Sequence, residues 1–164
     1  MALTPAQLIT LKADILADPT LSALPNNSDS SFEIARVYNL AATPEFILWR
    51  KSVGISEVGR AMRNSDIANL TTANNARLQT LSMYSGDIFD ASNTDTRQGF
   101  DDIFSVAGAA PTRAALLVIW KRSASRAEKL FATGPGTDAL PAISVFADGF
   151  SLGLNDVSSA RNLP

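Results

Sequence analysis

Residues 111–131, PTRAALLVIWKRSASRAEKLF, carry the strongest signal for regular structure in the chain. The stretch opens at Pro111-Thr112, and apolar residues then recur at the three- and four-residue spacing of a helix. Gly134 can cap a helix at its C-terminal end, and Pro135 stops its continuation. We therefore expect one helix from Pro111-Thr112 to about Phe131. Its apolar surface consists of Ala115, Leu116, Val118, Ile119, Ala127 and Leu130.

Helix start signals recur on the N-terminal side of this stretch. Thr4-Pro5-Ala6-Gln7 places a hydroxyl cap, a proline and a capping-box glutamine in order. The same start recurs at Thr43-Pro44, which predicts a central core helix over residues 44–53. The chain as a whole predicts an all-α fold, a helical bundle of about six helices. The remaining expected segments are a short helix through Phe32 and Tyr38, a turn of helix from Ser56 to Met62, a longer helix from Ser65 to Tyr84 with Tyr84 inward, and a helix through Phe100 and Phe104.

The character of the sequence changes after residue 133. Alternating apolar residues flank Asp148-Gly149, which is a hairpin signal, and a brief helical turn is expected from Asp156 to Arg161. A lone hairpin is marginal in water, so it needs the helices or a partner. We therefore divide the chain into a helical body, residues 1–133, and a C-terminal extended arm or β-hairpin, residues 134–164. The body is expected to fold without the arm, whose partner contacts are Val145, Phe146 and Phe150.

The composition narrows the classes of function. The 164 residues include no histidine and no cysteine, which removes His-assisted nucleophiles, thiol redox chemistry and His/Cys metal sites. We therefore expect a structural or binding protein, not an enzyme, with no cofactor and no metal. Charged residues make up 18%, below the roughly 25% that is typical, which suits burial against partners. The longest apolar run, Ala114–Trp120, is far shorter than the ~20 residues that span a bilayer, so no membrane association is expected.

An acidic stretch lies between Gly86 and Asp102, with five acids against one base. Its adjacent pair, Asp101 and Asp102, could serve acid–base chemistry or hold a hard cation. However, neighbours on a helix point about 100° apart, and the spacing matches no calcium-binding loop. We expect a solvated acidic surface that faces a partner.

A basic stretch follows from Pro111 to Leu130, with five bases against one acid. Arg122, Arg126 and Lys129 are spaced by four and three, which places them on one face of the expected helix. Such a stripe can track nucleic-acid phosphates, although cations near a helix C-terminus are favoured by the helix dipole anyway. If the acidic and basic surfaces lie on opposite sides, one copy can bind the next, and such a contact closes into a ring where the rotation permits.

Five blocks of the sequence carry a resemblance to a known protein family, at residues 11–15, 25–29, 44–53, 120–134 and 156–163. These blocks resemble small neck proteins of tailed bacteriophages. The resemblance implies a mostly helical head-to-tail adaptor (connector), made in the host cytoplasm and built into the neck of the virion. It implies a homo-oligomeric ring, typically dodecameric, beneath the portal protein and next to the tail or a second neck protein. The C-terminal arm would reach the portal or a neighbouring subunit.

The implied ring continues the channel through which DNA passes, without sequence-specific binding. Net charge is −2, which suits passage because a strongly basic wall would hold the phosphates. Two alternatives remain open. One is another structural role in the virion, such as tail completion or capsid stabilisation. The other is a small nucleic-acid-binding module that uses the basic face of the 112–131 helix.

Overall fold

The computed structural model describes residues 2–105 and 108–164, which form ten helices and four short strands. The mostly helical character agrees with the prediction, whereas the strands and the number of helices differ from an all-α bundle of about six. The helices are α1 (Pro5–Ala17), α2 (Pro19–Ser22), α3 (Ser28–Asn39), α4 (Ile55–Ala61), α5 (Asn64–Ala68), α6 (Thr72–Ser85), α7 (Thr94–Ile103), α8 (Ala110–Ile119), α9 (Arg126–Phe131) and α10 (Leu154–Arg161). The strands are β1 (Ile47–Trp49), β2 (Val53–Gly54), β3 (Ile88–Phe89) and β4 (Lys121–Ser123).

Two antiparallel ribbons join segments that are distant in sequence. In the first, β1 pairs with β4, and Leu48 lies opposite Arg122. In the second, β2 pairs with β3, and Val53 lies opposite Phe89. On its other edge, β1 exchanges two backbone hydrogen bonds with Ala142. The middle of the first ribbon is therefore bonded on both sides, as in the centre of a sheet.

The first and last segments of the chain share one hydrophobic core. We call this part the terminal lobe, and it comprises α1–α3, α9, α10 and the segment between α9 and α10. Helix α10 packs against both α1 and α3, which removes apolar faces of all three helices from water. The buried residues of this core are Leu3, Leu11, Ile15, Leu21, Ile34, Ala35, Tyr38, Ala127, Phe146, Leu152, Val157 and Ala160.

A second core lies in the middle of the chain. We call this part the middle lobe, and it comprises α4–α8 with β2 and β3. The rings of Phe89 and Trp120 each meet Phe100 edge to face at 5.3 Å between centroids, a favoured aromatic geometry. The hydroxyl of Thr112 in α8 donates to buried Asp66 in α5 at 2.6 Å. The buried residues of this core are Val53, Val58, Leu70, Phe89, Ala91, Phe100, Ile103, Phe104, Ala109, Leu116 and Trp120.

The local capping signals agree with the structure. The hydroxyl oxygen of Thr4 accepts from the backbone N–H of Gln7, and the Gln7 side chain accepts from the N–H of Thr4, so the predicted start of α1 is confirmed. The helices expected through Phe32 and Tyr38 and over residues 156–161 are confirmed as α3 and α10. The helix expected through Phe100 and Phe104 is α7, which ends at Ile103 with Phe104 as its C-cap. The turn expected over residues 56–62 is α4.

The single helix predicted over residues 111–131 is wrong. It ends at Ile119, because residues 121–123 leave the helix to pair with β1. A new helix, α9, starts at Arg126, where Ser125 and Glu128 form a capping box. Residues 121–123 are Lys, Arg and Ser, none of them apolar or buried, and the apolar residues that predicted one helix lie in α8 and α9 on either side of the strand.

The core helix predicted over residues 44–53 is also wrong. Residues 47–49 form β1, with Leu48 fully buried between β4 and Ala142. A continuous apolar run suits a strand that is covered on both sides as well as it suits a buried helix. The helix expected from Ser65 to Tyr84 is divided into α5 and α6, and Tyr84 points outward with 88% exposure.

The hairpin predicted around Asp148-Gly149 is wrong as well. Residues 134–153 form no β-strand. Their β-type pairing is limited to two isolated β-bridges, from Ala142 to Leu48 and from Ile143 to Thr133. Residues 134–164, expected to form an arm on a separate helical body, pack into the terminal lobe through Phe146 and α10. The chain therefore uses this segment to complete its own core.

Candidate partner-contact surfaces

Arg122 lies in β4 and is held between two carboxylates of its own chain. Its Nη1 and Nη2 donate to the two Glu128 oxygens at 2.9 and 2.6 Å, and its Nε donates to Asp148 at 2.9 Å. Burial lowers the pKa of Arg122, but the hydrogen bonds to Glu128 and Asp148 outweigh burial and raise it. Arg122 therefore stays charged, and its charge is compensated by carboxylates of the same chain.

Arg126 begins α9 and joins it to α1. Its Nη1 donates to Asp18 at 2.9 Å and its Nη2 donates to Asp14 at 3.1 Å, while its guanidinium lies 4.5 Å from the centre of the Tyr38 ring. The Tyr38 hydroxyl donates to Asp14. Burial, followed by the neighbouring Asp14, raises the pKa of Tyr38. This cluster is a structural tie between the first helix and the second half of the chain.

Lys129 differs from the two arginines. It lies half-buried in the last turn of α9, with its Nζ 5.8 Å from the centre of the Phe46 ring. In residues 2–105 and 108–164 it forms no ion pair. The three predicted cations thus do not form one helical face, and Lys129 is the member whose charge is available to a partner.

The predicted acidic pair lies on α7. Asp101 accepts from Nε of Arg113 at 3.1 Å, and Asp102 accepts from the Gln98 amide at 2.7 Å. Both carboxylates are at the surface but have different partners, so the structure does not bring them to a common point.

The predicted apolar contacts of the C-terminal segment divide into two kinds. Phe146 is 3% exposed, stacks on Phe150 at 3.7 Å between centroids and meets Phe131 edge to face. Val145 is 51% exposed and points the other way. Phe146 and Phe150 therefore hold the segment on its own lobe, and Val145 remains accessible to a partner.

The end of α6 is an exposed apolar surface that the sequence analysis missed. We call it the α6 tip, and it consists of Met83, Tyr84, Asp87 and Ile88. Met83 is 82% exposed and Tyr84 88%, while Ile88 is 52% exposed. A signal was present, since adjacent helical residues point about 100° apart, so Met83 and Tyr84 cannot both face one core.

A cleft of about 650 Å³ opens on the terminal lobe between the end of α3 and α9. We call it the α3–α9 cleft. Leu40, which is 52% exposed, is one of its apolar lining residues, and Lys129 is one of its charged lining residues. The lining residues are Asp14, Val37, Leu40, Ala41, Ala42, Thr43, Arg126, Lys129 and Leu130.

Within the described ranges, acidic side chains do not gather in groups of three that could hold a metal ion. None of the helices in these ranges has the length and apolar character that crossing a membrane requires. Comparison with family models, with curated proteins and with solved structures finds no match to this chain.

Proposed function

We propose that the chain is a structural subunit of the neck of a tailed bacteriophage. In this proposal, copies form a ring that joins the portal vertex of the head to the tail or a second neck protein, and the ring continues the DNA channel. The proposal starts from the resemblance of the sequence blocks to phage neck proteins. The observation that supports it best is the exposure of Met83 and Tyr84 at 82% and 88%, since large exposed apolar side chains that cluster together are typical of protein–protein contacts.

Exposed apolar side chains occur in both lobes. Leu16 and Phe32 of the terminal lobe are each 62% exposed, and Val118 of the middle lobe is 73% exposed. A subunit of a ring inserted between two other assemblies needs contacts on several sides: with the copy before it, the copy after it, and the proteins above and below. In the proposed ring, the exposed apolar residues of both lobes would serve such contacts.

The charges support DNA passage without DNA binding. Arg122 and Arg126 each form ion pairs with two carboxylates of the same chain. Two of the three cations that favoured a nucleic-acid module are therefore already compensated. A protein that binds phosphates needs cations that can release the counterions of DNA. The nucleic-acid alternative predicts measurable DNA binding that weakens steeply with salt.

The test uses a phage whose genome encodes this chain, with the gene interrupted by a nonsense mutation. We expect DNA-filled heads and free tails to accumulate separately in a non-suppressing host, and the purified chain to join them in a mixed extract. Gold-labelled antibody should mark the head–tail junction of wild-type particles. A Met83→Ser/Tyr84→Ser double variant removes the exposed apolar side chains, leaves the buried cores intact and is expected not to join heads to tails.

Other outcomes would overturn the neck proposal. Label on the shell would favour capsid stabilisation, and label at the distal end of free tails would favour tail completion. Complete, infectious particles that contain none of the chain would remove it from the virion altogether.

A further inference from the structure

Helix α6 is the least covered long helix of the described residues. Residues 72–84 of this helix, whose burial the structure describes, include none that is buried, although a helix of this length normally hides an apolar stripe against its own protein. Its inner side packs on α7. The opposite side ends in the α6 tip, where the exposed Asp87 forms no ion pair with another described residue.

The α3–α9 cleft has the complementary character. Its floor is apolar, with Val37, Leu40 and Leu130, and its rim carries Lys129. The other cation of the cleft, Arg126, is neutralised by Asp14 and Asp18. The cleft thus offers an apolar floor beside one cation that its own lobe leaves without a carboxylate partner.

We propose that the α6 tip of one copy docks in the α3–α9 cleft of a second copy. Met83 and Tyr84 would cover the apolar floor, and Asp87 would approach Lys129. Among the other charges, burial lowers the pKa of Arg97, and the fields of Asp90 and Asp101 partly oppose that lowering, so Asp90 already faces a cation of its own chain. Arg77 lies two turns before Tyr84, which is about 10 Å along the helix and away from the tip.

The symmetry of this contact follows from where its two halves lie. The tip belongs to the middle lobe and the cleft belongs to the terminal lobe, so the contact joins two different surfaces. Such a heterologous contact repeats from copy to copy and closes into a ring when the rotation permits. The inference rests on the proposed function in this respect, since it assigns the contact between neighbours in the proposed ring.

Cysteine cross-linking tests the contact directly, because the natural chain has no cysteine. A Tyr84→Cys variant is mixed with a tagged Leu40→Cys variant and oxidised mildly, so that only a link between two copies can give the mixed dimer. We expect the mixed dimer to be the main product. The matched control replaces Leu40→Cys by Val118→Cys, because Val118 is also exposed and lines a groove between α4 and α8.

Two results would overturn this assignment. One is a mixed dimer that forms equally well or better with Val118→Cys. The other is no mixed dimer above the level of the links that each variant makes with itself, including the case in which the protein stays monomeric at the highest concentration tested.

Charge reversal provides a second readout. We expect Lys129→Glu to weaken self-association about threefold to tenfold, as for a partly exposed ion pair, and Asp87→Lys in the same chain to restore it. Arg60→Glu is the control, since Arg60 is exposed on α4 and forms no ion pair in the described part of the chain. Equal effects of Lys129→Glu and Arg60→Glu in sedimentation velocity, or no restoration by Asp87→Lys, would contradict the inference.

The failure of this inference differs from the failure of the proposed function. A ring at the head–tail junction that shows no link between residues 84 and 40 would leave the neck role intact and reject the contact. A specific link in purified protein, with no chain found in phage particles, would keep the contact and reject the neck.

Discussion

The aromatic ring of Phe46 fills the space that a side chain on Gly136 would need. Gly136 has φ +67°, and a Cβ placed there would overlap the Phe46 ring. The backbone carbonyl of Gly136 also accepts from the N–H of Ile47 at 2.8 Å. The glycine therefore lets the segment after α9 approach β1 closely enough to bond with it.

Gly136→Ala should lower the free energy of unfolding by about 2–4 kcal/mol, since it combines a left-handed backbone with overpacking against an aromatic ring. Gly59→Ala is the matched control, because a Cβ at this helical position has no neighbour within 4 Å. That control should be neutral or stabilising by up to about 1 kcal/mol. Urea unfolding of both variants gives the comparison, and similar effects would contradict the role of Phe46.

Arg126→Met should destabilise the protein by about 1–3 kcal/mol, because it leaves two partly buried carboxylates without their shared cation. Arg36→Met is the control, since Arg36 and Glu33 form an ion pair on the exposed side of α3, and exposed pairs contribute little. Thermal unfolding at neutral pH would show the difference. A loss that is the same for both variants would mean that Arg126 does not tie α9 to α1.

Asp18 should make the free energy of unfolding depend on pH in the acidic range. The hydrogen bond from Arg126 lowers the pKa of Asp18 below its ordinary value of 3.8. Its contribution is therefore complete above about pH 4 and is lost as the pH falls through the lower pKa of the folded state. Asp18→Asn keeps an oxygen for the N–H groups of Thr20 and Leu21 but removes the charge. In urea unfolding, the advantage of the wild type over this variant should shrink below about pH 4; an unchanged difference would refute the linkage.

Phe146→Ala should cost about 3–5 kcal/mol, because it empties a site between two aromatic rings in the terminal lobe. Val145→Ala, one residue earlier and 51% exposed, should change stability little. Chemical unfolding monitored by circular dichroism would separate them.

Deletion of residues 135–164 should leave the terminal lobe unfolded, contrary to the expectation that the helical body folds without this segment. A cooperative transition of wild-type amplitude would contradict the shared core.

Sequence patterns were sufficient where the determining contacts are local. The Thr4-Pro5-Ala6-Gln7 box predicts the start of α1 because all of its hydrogen bonds lie within four residues. The break after Ile119 depends on the pairing of β4 with β1, more than 70 residues earlier, and helical periodicity carries no information on such a partner. One local signal was overlooked: Ser125 and Glu128 have the spacing of a capping box, which indicates a helix start inside the predicted helix.

The candidate surfaces were predicted less well for the same reason. Arg126 was predicted to contact a partner because its own partners, Asp14 and Asp18, precede it by 112 and 108 residues. Lys129, in contrast, was selected with the arginines and remains accessible. Tyr84 was predicted to point inward, although the step of about 100° between adjacent helical residues already indicated that Met83 and Tyr84 cannot both face one core.

The shared core of the first and last segments also sets an order for folding during synthesis. The middle lobe has all of its buried residues once residue 120 has left the ribosome, and its contacts are comparatively local. The core around α1 and α3 is incomplete without Phe146 and α10. The apolar faces of α1 and α3 therefore stay exposed to water until roughly the final 20 residues emerge. During that interval the middle lobe of the nascent chain can be folded while the terminal lobe is not. Premature association between copies would occur in this partly folded form.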